Sequence, residues 1–247
     1  MRNIIFEKDN IILDSGYFFA RGVFETILVK DKPIFLDEHI NRLNKGINIL
    51  EIGESIDIEY INNIIKELNI SNCAFKIVVT EKNIVFATRE LTYKDEDYLH
   101  GFSLKVSEII RNSKSKLTYI KSINYLENII QREDALKDGY NEVLFLNEKG
   151  YVCEGSISNI FIVKGGRIFT PRVKNGLLEG IIREYVIKTN DVVEKELTLE
   201  EVRNADEIFI TNSLLGIMGI NKFEGRVFTG NKITMSIREK YEAIIKN

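Results

Sequence analysis

A lysine near the middle of the chain is the first residue whose type and setting could do chemistry. Lys121 stands in the segment YIKSINYLENIIQRE, after a polar stretch and at the start of a predicted helix, with Asn124 and Tyr125 one turn further on. A lysine amine in such a position can form an imine with a carbonyl group. By itself the position is ambiguous, since most lysines are solvated surface charges.

A glutamate at the end of a short apolar strand is the second candidate. Glu154 lies in the segment VCEGSISNIFIVK. A carboxylate in this setting can keep the ring nitrogen of a bound cofactor protonated, so that the ring accepts electrons when a substrate bond breaks. The other interpretation is a solvated glutamate beside a turn.

Two further segments could bind a phosphate group. In NGLLEGIIRE, Gly176 and Gly180 bracket a turn and Ile181 begins a predicted helix, whose first backbone N–H groups attract an anion. The triplet Thr211-Asn212-Ser213 follows the strand IFI and offers hydroxyl and amide donors. Each segment could equally be an ordinary turn or helix entry.

Composition argues against several kinds of function. The chain has 34 basic and 37 acidic residues and a net charge of −3, and no window combines basic with aromatic residues, so nucleic-acid binding is not expected. Neither the two cysteines nor the two histidines have the spacing of a zinc site, and no metal is expected. A Ser–His–Asp set and a phosphate-loop glycine pattern are also missing, which favours an organic cofactor.

The start of the chain, MRNIIFEKDN, has no apolar core, and no stretch is apolar over the length needed to cross a bilayer. The sequence therefore predicts a cytoplasmic protein without membrane contact.

The elements that would position these residues fall into two halves. In the first half, Asp37 is expected to cap a helix with an apolar stripe at positions 40, 43, 47 and 50, and a second helix begins near Ser55. Arg42 lies beside this stripe, where a guanidinium either snorkels to water or reaches an anion. Alternating apolar residues predict strands over 23–29, 34–36, 75–80, 84–87 and 103–107, the first two as a hairpin.

The second half begins after RNSKSK, residues 111–116, a polar stretch that predicts an interdomain connection. Beyond it, helices are predicted over 123–136, from 180, and up to 245, with strands over 142–146, 152–154, 159–163 and 208–210. The sequence thus predicts an α+β protein with an N-terminal domain over 1–112 and a C-terminal domain over 120–247, the latter carrying Lys121.

Six segments, in this order, resemble the class IV (fold-type IV) aminotransferases. This family of pyridoxal-phosphate enzymes includes branched-chain aminotransferases, D-amino-acid aminotransferases and aminodeoxychorismate lyases. The segments cover nearly the whole chain: RGVFETI (21–27), HINRL (39–43), KSINYLENI (121–129), EGSISNIFIVK (154–164), EGIIRE (179–184) and ADEIFITNSLLGIM (205–218).

The resemblance implies a role for each candidate residue. Lys121 would hold pyridoxal phosphate as a Schiff base and carry the catalytic proton, Glu154 would pair with the pyridine nitrogen, and Tyr125 would approach the ring hydroxyl. The phosphate would be held by Arg42, the backbone of Ile181 and Ile182, and groups of Thr211, Asn212 and Ser213. The resemblance also implies a D-amino-acid-aminotransferase-like fold with a barrel-like C-terminal domain, a cofactor between the two domains, and a homodimer.

Two details favour a 4-amino-4-deoxychorismate lyase, which makes 4-aminobenzoate and pyruvate in folate biosynthesis. Thr26 stands where branched-chain aminotransferases commonly have glycine, and TNSLLGIM is similar to the lyase segment. Many members carry an arginine- and glycine-rich stretch after the strand that ends here at Thr80. Only three residues remain of it, so Lys76 and Arg89 are the cations available for a substrate carboxylate. The alternatives are a branched-chain or D-amino-acid aminotransferase and a non-catalytic binding protein.

Overall fold

The structure is a computed structural model that describes residues 2–6 and 10–246. The chain forms two compact units. The first contains the described residues up to Thr92 together with Ile120–Tyr125, and the second contains Tyr93–Tyr119 and the described residues from Leu126 onward. Both units mix helices with strands, which confirms the predicted α+β fold of two parts.

The first unit contains a four-stranded sheet in the order β1-β4-β3-β2. Strand β1 runs parallel to β4, and the other neighbours are antiparallel. Its elements are β1 (Asn3–Phe6), α1 (Ser15–Phe19), β2 (Gly22–Val29), α2 (Leu36–Leu50), α3 (Ile58–Glu67), β3 (Cys73–Thr80) and β4 (Asn83–Arg89).

Alternation along the strands of the first unit separates a core face from a second face. Since neighbouring residues of a strand point to opposite sides, Val23 and Ile27 of β2 share one face with Phe75 and Ile77 of β3. These side chains pack against the apolar stripe of α2 in a single core. The predicted stripe of this helix is confirmed at positions 40, 43 and 47, which are fully buried, whereas Leu50 only packs against the edge of the core.

The predicted strand at 34–36 is wrong. Only an isolated bridge joins Val29 to Pro33, and α2 begins at Leu36. The N-cap residue is Phe35, whose φ is 55°, so Asp37 lies inside the first helical turn and is not the cap. A run of three residues is too short for its apolar pattern to distinguish a strand from a helix start.

The second unit contains a nine-stranded sheet. Eight strands follow the order β10-β9-β8-β11-β12-β5-β6-β7, and β13 pairs with β12. The elements are α4 (Asp95–His100), β5 (Phe102–Arg111), α5 (Leu126–Lys137), β6 (Glu142–Asn147), β7 (Val152–Gly155), β8 (Asn159–Lys164), β9 (Arg167–Pro171), α6 (Ile181–Thr189), β10 (Val192–Lys195), α7 (Leu199–Arg203), β11 (Glu207–Asn212), β12 (Gly216–Phe223), β13 (Arg226–Val227) and α8 (Lys232–Ile245).

This sheet curves around one core. Leu104 of β5, Leu144 of β6, Ile160 of β8 and Met218 of β12 belong to the same buried apolar cluster. Strand β7, at one end of the order, also contacts β8 and β9 near the other end. The curvature brings the end of β7 close to the start of β8, and the two are joined by the loop at 156–158.

The division into units differs from the predicted domain bounds at two places. Strand β5 reaches Arg111 and belongs to the second unit, because it pairs with β6 and β12. Lys121 belongs to the first unit, because its neighbour Ser122 bridges to Val23 of β2. The polar stretch at 111–116, predicted as a connection, lies within the second unit. Polarity marks an exposed segment, but strand pairing decides which unit holds it.

Among the helices of residues 2–6 and 10–246, none is long and apolar enough to span a membrane. The same residues contain no group of three or more His, Cys, Asp or Glu side chains that could hold a metal ion.

One buried carboxylate ties α1 to the turn between β3 and β4. Asp14 accepts hydrogen bonds from the backbone N–H groups of Gly16 (2.9 Å) and Lys82 (2.8 Å) and from the Thr80 hydroxyl (2.6 Å). Burial alone raises the pKa of Asp14, but hydrogen bonds to the carboxylate outweigh burial and lower the pKa. The short helix α1 is therefore held by a charge-assisted network.

Replacing Asp14 with alanine should lower the free energy of unfolding by about 3 kcal/mol, because several buried donors lose their acceptor at once. The matched control is Asp57→Ala, which removes an exposed cap from α3 and should cost about 1 kcal/mol. Urea unfolding of both variants measures the difference. Equal losses would show that Asp14 is only a helix cap.

Candidate active site

Lys121 is held on the edge of the first unit's sheet. The backbone N–H of Phe24 donates to the Lys121 carbonyl (2.9 Å), and the N–H of Ile123 donates to the Gly22 carbonyl (3.0 Å). Strand β2 is the last strand of its sheet, so this edge is available for such pairing. Helix α5 begins only at Leu126, and Lys121 is therefore positioned by backbone pairing and not by the helix predicted to start near it.

An aromatic pair lies beside the Lys121 amine. The rings of Phe24 and Tyr125 meet edge to face, with centroids 5.2 Å apart. Lys121 Nζ is 4.5 Å from the Phe24 centroid and 5.4 Å from the Tyr125 centroid, and Lys76 Nζ is 4.8 Å from the Phe24 centroid. The structure therefore places two amines against one ring, in the range of cation–π contacts.

The proposed substrate-binding residues share the sheet face opposite the core of the first unit. Thr26 of β2 pairs directly with Lys76 of β3, and Arg89 lies at the end of β4 opposite Ala74. Directly paired residues point to the same side of a sheet. Partial burial, followed by repulsion from Arg89, lowers the pKa of the Lys76 amine. The two cations are thus near enough to influence each other.

A buried carboxylate holds Arg42 on the other face of the same sheet. Glu25 Oε1 accepts from Arg42 Nε (2.7 Å), and Glu25 Oε2 accepts from Arg42 Nη2 (2.8 Å). His39 Nδ1 lies 2.7 Å from Glu25 Oε2. The sequence allowed Arg42 either to extend to water or to bind an anion. The structure shows that it binds an anion, the Glu25 carboxylate of the same chain.

The charges of this triad are coupled. Burial alone raises the pKa of Glu25, but Arg42 and His39, by charge and by hydrogen bonding, lower it to about 2. Burial lowers the pKa of His39; the Glu25 carboxylate opposes this shift, and the cations Arg42 and Lys121 reinforce it. Glu25 therefore stays ionised at neutral pH and favours the His39 tautomer that donates from Nδ1.

In the second unit, Glu154 lies in β7 with 8% of its surface exposed. Its Oε1 is 3.5 Å from Arg111 Nη2, and its Oε2 accepts the backbone N–H of Leu178 (3.0 Å). The Arg111 guanidinium lies 4.0 Å from the centroid of Phe145 and donates to the Asn128 side chain (3.0 Å). Glu154 is therefore not the solvated turn residue that composition alone would favour.

A second buried carboxylate organises the loop between β7 and β8. Glu142 is 1% exposed and accepts from the hydroxyls of Ser156 and Ser158 and from the backbone N–H of Ser156 (3.0 Å). Asn128 donates to the Ser156 carbonyl (2.6 Å). The loop that follows Glu154 is thus fixed on both sides by buried side chains.

The predicted phosphate-binding segments lie together in the second unit. Helix α6 begins at Ile181 with Gly180 as its N-cap, and no side chain caps it. The helix packs on β11, which ends with Thr211 and Asn212. Arg183, in the first turn, is 1% exposed and binds the Pro171 carbonyl (3.0 Å) and the Glu194 carboxylate, so it anchors this helix start to β9 and β10.

The three residues of the Thr211–Ser213 segment differ in their contacts. The Thr211 hydroxyl is buried and has no hydrogen-bond partner among the described residues. Asn212 Oδ1 accepts the N–H groups of Leu214 and Leu215 (both 2.9 Å), so this side chain closes the turn. Ser213 lies within that turn, partly buried. A ligand donor is therefore available at Thr211, whereas the Asn212 oxygen is already used.

Sequence reasoning missed the residues that support the candidates. The sequence assigns no role to Glu25, Glu142 and Asn159, which bond to a candidate or to its loop, to Arg111, which pairs with Glu154 by charge, or to His39, which bonds to Glu25. The available signal was a charged residue within an apolar alternation, as at Glu25 in GVFETILV and Glu142 in NEVLFLN. For Arg111 the polar stretch that follows it concealed that it is the last residue of a strand.

Comparison with known proteins relates the chain to one family. A sequence profile of the family Amino-transferase class IV matches residues 22–223. A protein of Methanocaldococcus jannaschii named as a branched-chain-amino-acid aminotransferase is 31% identical, covering 94% of this chain and 90% of its own length. The aminodeoxychorismate lyase of Bacillus subtilis is 30% identical, covering 98% and 92%. A crystal structure from Legionella pneumophila, named as a 4-amino-4-deoxychorismate lyase, has a TM-score of 0.89 at 26% identity and covers 97% and 98%.

Replacing Glu25 with glutamine should destabilise the protein by about 3 kcal/mol at pH 7, because Arg42 then loses its buried partner. The folded-state pKa of Glu25, about 2, lies below the ordinary value of 4.5, so its contribution is full above pH 4.5 and is lost as the pH falls towards 2. The difference from the wild type should therefore shrink at pH 3. Urea unfolding at both pH values measures it, with the exposed Glu38→Gln as control. A pH-independent difference would contradict the ion-pair assignment.

Proposed function

Because this chain belongs to the class IV aminotransferase family, whose members are pyridoxal-phosphate enzymes, we propose that it is a 4-amino-4-deoxychorismate lyase. The observation that carries the proposal is the sheet face opposite the first unit's core, where the buried ring of Phe24 and the Thr26 hydroxyl lie with the cations Lys76 and Arg89. The lyase substrate is a flat ring with an amine and two carboxylates. An aromatic surface, a hydroxyl and two cations match these groups.

The second unit fits the phosphate and the ring nitrogen of pyridoxal phosphate. Thr211 offers a buried hydroxyl that has no other partner within the described residues, and the uncapped start of α6 offers the N–H groups of Ile181 and Ile182. Glu154, with Arg111 3.5 Å away, would hold the proton of the pyridine nitrogen. When bound, the cofactor supplies an electron sink for breaking bonds at the substrate carbon that bears the amine.

In the first unit, we assign Lys121 as the covalent anchor of the cofactor. Tyr125, held against Phe24, would approach the ring hydroxyl. Arg42 would bind the phosphate, with its guanidinium oriented by the two bonds to Glu25. In the second unit, Asn212 and Ser213 would assist Thr211 in binding the phosphate. They would do so only through groups other than Asn212 Oδ1, which already accepts two N–H groups of the turn.

The lyase reaction balances without a second substrate. The Lys121 amine removes the proton from the ring carbon that bears the amine, and a proton is delivered to the enolpyruvyl methylene. The bond between the ring and the enolpyruvyl oxygen breaks with its electron pair going to oxygen, so that pyruvate leaves. The ring gains a double bond and becomes 4-aminobenzoate, and the aromatic product makes the step effectively irreversible.

A branched-chain or D-amino-acid aminotransferase is the second candidate. The relative named for branched-chain transamination is as similar, at 31%, as the lyase at 30%. In transamination Lys121 would remove the corresponding proton, from the amino-acid carbon that bears the amine, so the residues assigned to the cofactor support both reactions equally. A non-catalytic protein is less well supported, because it would not need both Lys121 and Glu154.

We propose further that the enzyme is a cytoplasmic homodimer that acts on a small molecule and binds neither nucleic acid nor membrane. Tyr17, Phe18 and Phe19 of α1 are 67%, 60% and 78% exposed. Large exposed aromatic side chains are typical of protein–protein contacts, and a second copy is the partner that the family suggests.

Replacing Lys121 with alanine should abolish covalent attachment of pyridoxal phosphate and all turnover, because the nucleophilic amine is removed. Borohydride reduction followed by peptide mapping locates the attachment. Lys76→Ala is the matched control, since its amine lies against the same Phe24 ring, and this variant should keep the label. A label on Lys76 in the Lys121 variant would reassign the anchor.

Purified protein should release pyruvate and 4-aminobenzoate from aminodeoxychorismate with no keto acid present, whereas amino transfer to 2-oxoglutarate should be slow. Lys76→Ala and Arg89→Ala should each raise KM about 10-fold, with a smaller effect on kcat, because each removes a charge that binds a substrate carboxylate. Coupled assays with both substrate classes measure the two activities. If 4-aminobenzoate is released no faster than in the uncatalysed control and transamination is rapid, the lyase proposal is contradicted and the protein is an aminotransferase.

A further inference from the structure

One residue in the second unit, Leu178, is bound at both its backbone N–H and its backbone carbonyl by buried side chains. Glu154 Oε2 accepts the N–H of Leu178 (3.0 Å), and Asn159 Nδ2 donates to the carbonyl of the same residue (2.9 Å). Asn159 Nδ2 is also 3.5 Å from Glu154 Oε2. Asn159 is 5% exposed and Glu154 is 8% exposed, so water competes little for these bonds.

The residue bound in this way lies just before α6. Leu178 is two residues ahead of Gly180, the N-cap of the helix whose first N–H groups are assigned to the phosphate. Strand pairing also places Asn159 directly opposite Thr211, whose buried hydroxyl is assigned to the same group. Asn159 therefore contacts Glu154 and the segment before α6 and is paired with Thr211, so it adjoins both groups that are assigned to the phosphate.

The position of the Asn159 side chain explains why residue 180 is a glycine. A Cβ atom added at Gly180 would lie 2.0 Å from Asn159 Oδ1, far inside van der Waals contact. The backbone there has φ −74° and ψ 141°, which any residue adopts, so the restriction to glycine is steric. The side chain of Asn159 thus fills the space beside the helix start.

We propose that Asn159 is a positioning residue that sets Glu154 and the start of α6 at a fixed separation, so that the groups for the ring nitrogen and for the phosphate act as one rigid unit. The inference rests on the proposed roles of Glu154 and α6. Asn159 bonds to Glu154 and to the segment that leads into the helix, and it acts through both. Its loss should weaken phosphate recognition although no bond from Asn159 to the phosphate is involved.

The test compares two ligands that bind without a covalent bond to Lys121. The full-length apoprotein is titrated with pyridoxamine phosphate and with pyridoxamine, which differ only in the phosphate. In Asn159→Ala the ratio of the two affinities should fall roughly 10-fold, the equivalent of one buried polar contact. Asn83→Ala is the matched control: Asn83 is 2% exposed and donates to the Ile12 carbonyl (2.9 Å), and it lies in the first unit, whereas Glu154 and α6 belong to the second. This control should lose stability and keep the ratio.

If Asn159→Ala does not fold, Asn159→Ser serves in its place, because serine is too short to repeat the bond to Leu178 and should lower the ratio similarly. An unchanged ratio in either variant, or an equal change in Asn83→Ala, overturns the positioning role. A Glu154→Gln variant distinguishes failure of the positioning role of Asn159 from failure of the proposed role of Glu154 as partner of the ring nitrogen. It should weaken both ligands alike, since both contain the ring nitrogen. If it weakens neither, Glu154 is not the nitrogen partner and both proposals fail.

Discussion

Desolvation of carboxylates is the constraint on which the polar interior of both units depends. A carboxylate removed from water loses several kcal/mol unless charges and hydrogen-bond donors replace its hydration. Glu25 is satisfied by Arg42 and His39, Glu142 by serine hydroxyls and backbone N–H groups, and Glu154 by Arg111 and a backbone N–H. Each carboxylate thereby determines where the elements that supply its donors can lie. These clusters give the candidate site its rigidity.

The cluster around Glu154 shows how such a constraint becomes functional. Its opposite charge comes from Arg111 at the end of β5, and a hydrogen-bond donor comes from Leu178 just before α6. Since both are parts of one folded unit, a shift of either element would leave a buried charge without a partner. Pre-organisation of this kind lowers the cost of binding a ligand, because the groups are already in place.

Family membership and specific activity depend on different parts of the molecule. The groups assigned to the cofactor are needed for any reaction of the family, and their presence does not separate a lyase from an aminotransferase. The substrate side is different, because Thr26, Lys76 and Arg89 are not among the groups assigned to the cofactor. We propose that these three residues carry the distinction, since two cations suit the two carboxylates of the proposed lyase substrate.

The sequence by itself determined the α+β class, the family, and most strands and helices near the site. Apolar periodicity marked β2, β3 and β8, and six ordered segments marked the family. Periodicity failed where the run was short, as at residues 34–36, because three residues cannot define a period.

Only the tertiary structure decided which residues support the candidates and in which unit each one lies. Lys121 joins the first unit through pairing with β2, a contact between residues about a hundred positions apart. Arg111 reaches Glu154, and Asn159 reaches Leu178, through similar long-range contacts. A local pattern reports which way a side chain faces along its own strand or helix. It contains no information on the partner that a buried charge will meet, because that partner is set by the packing of distant elements.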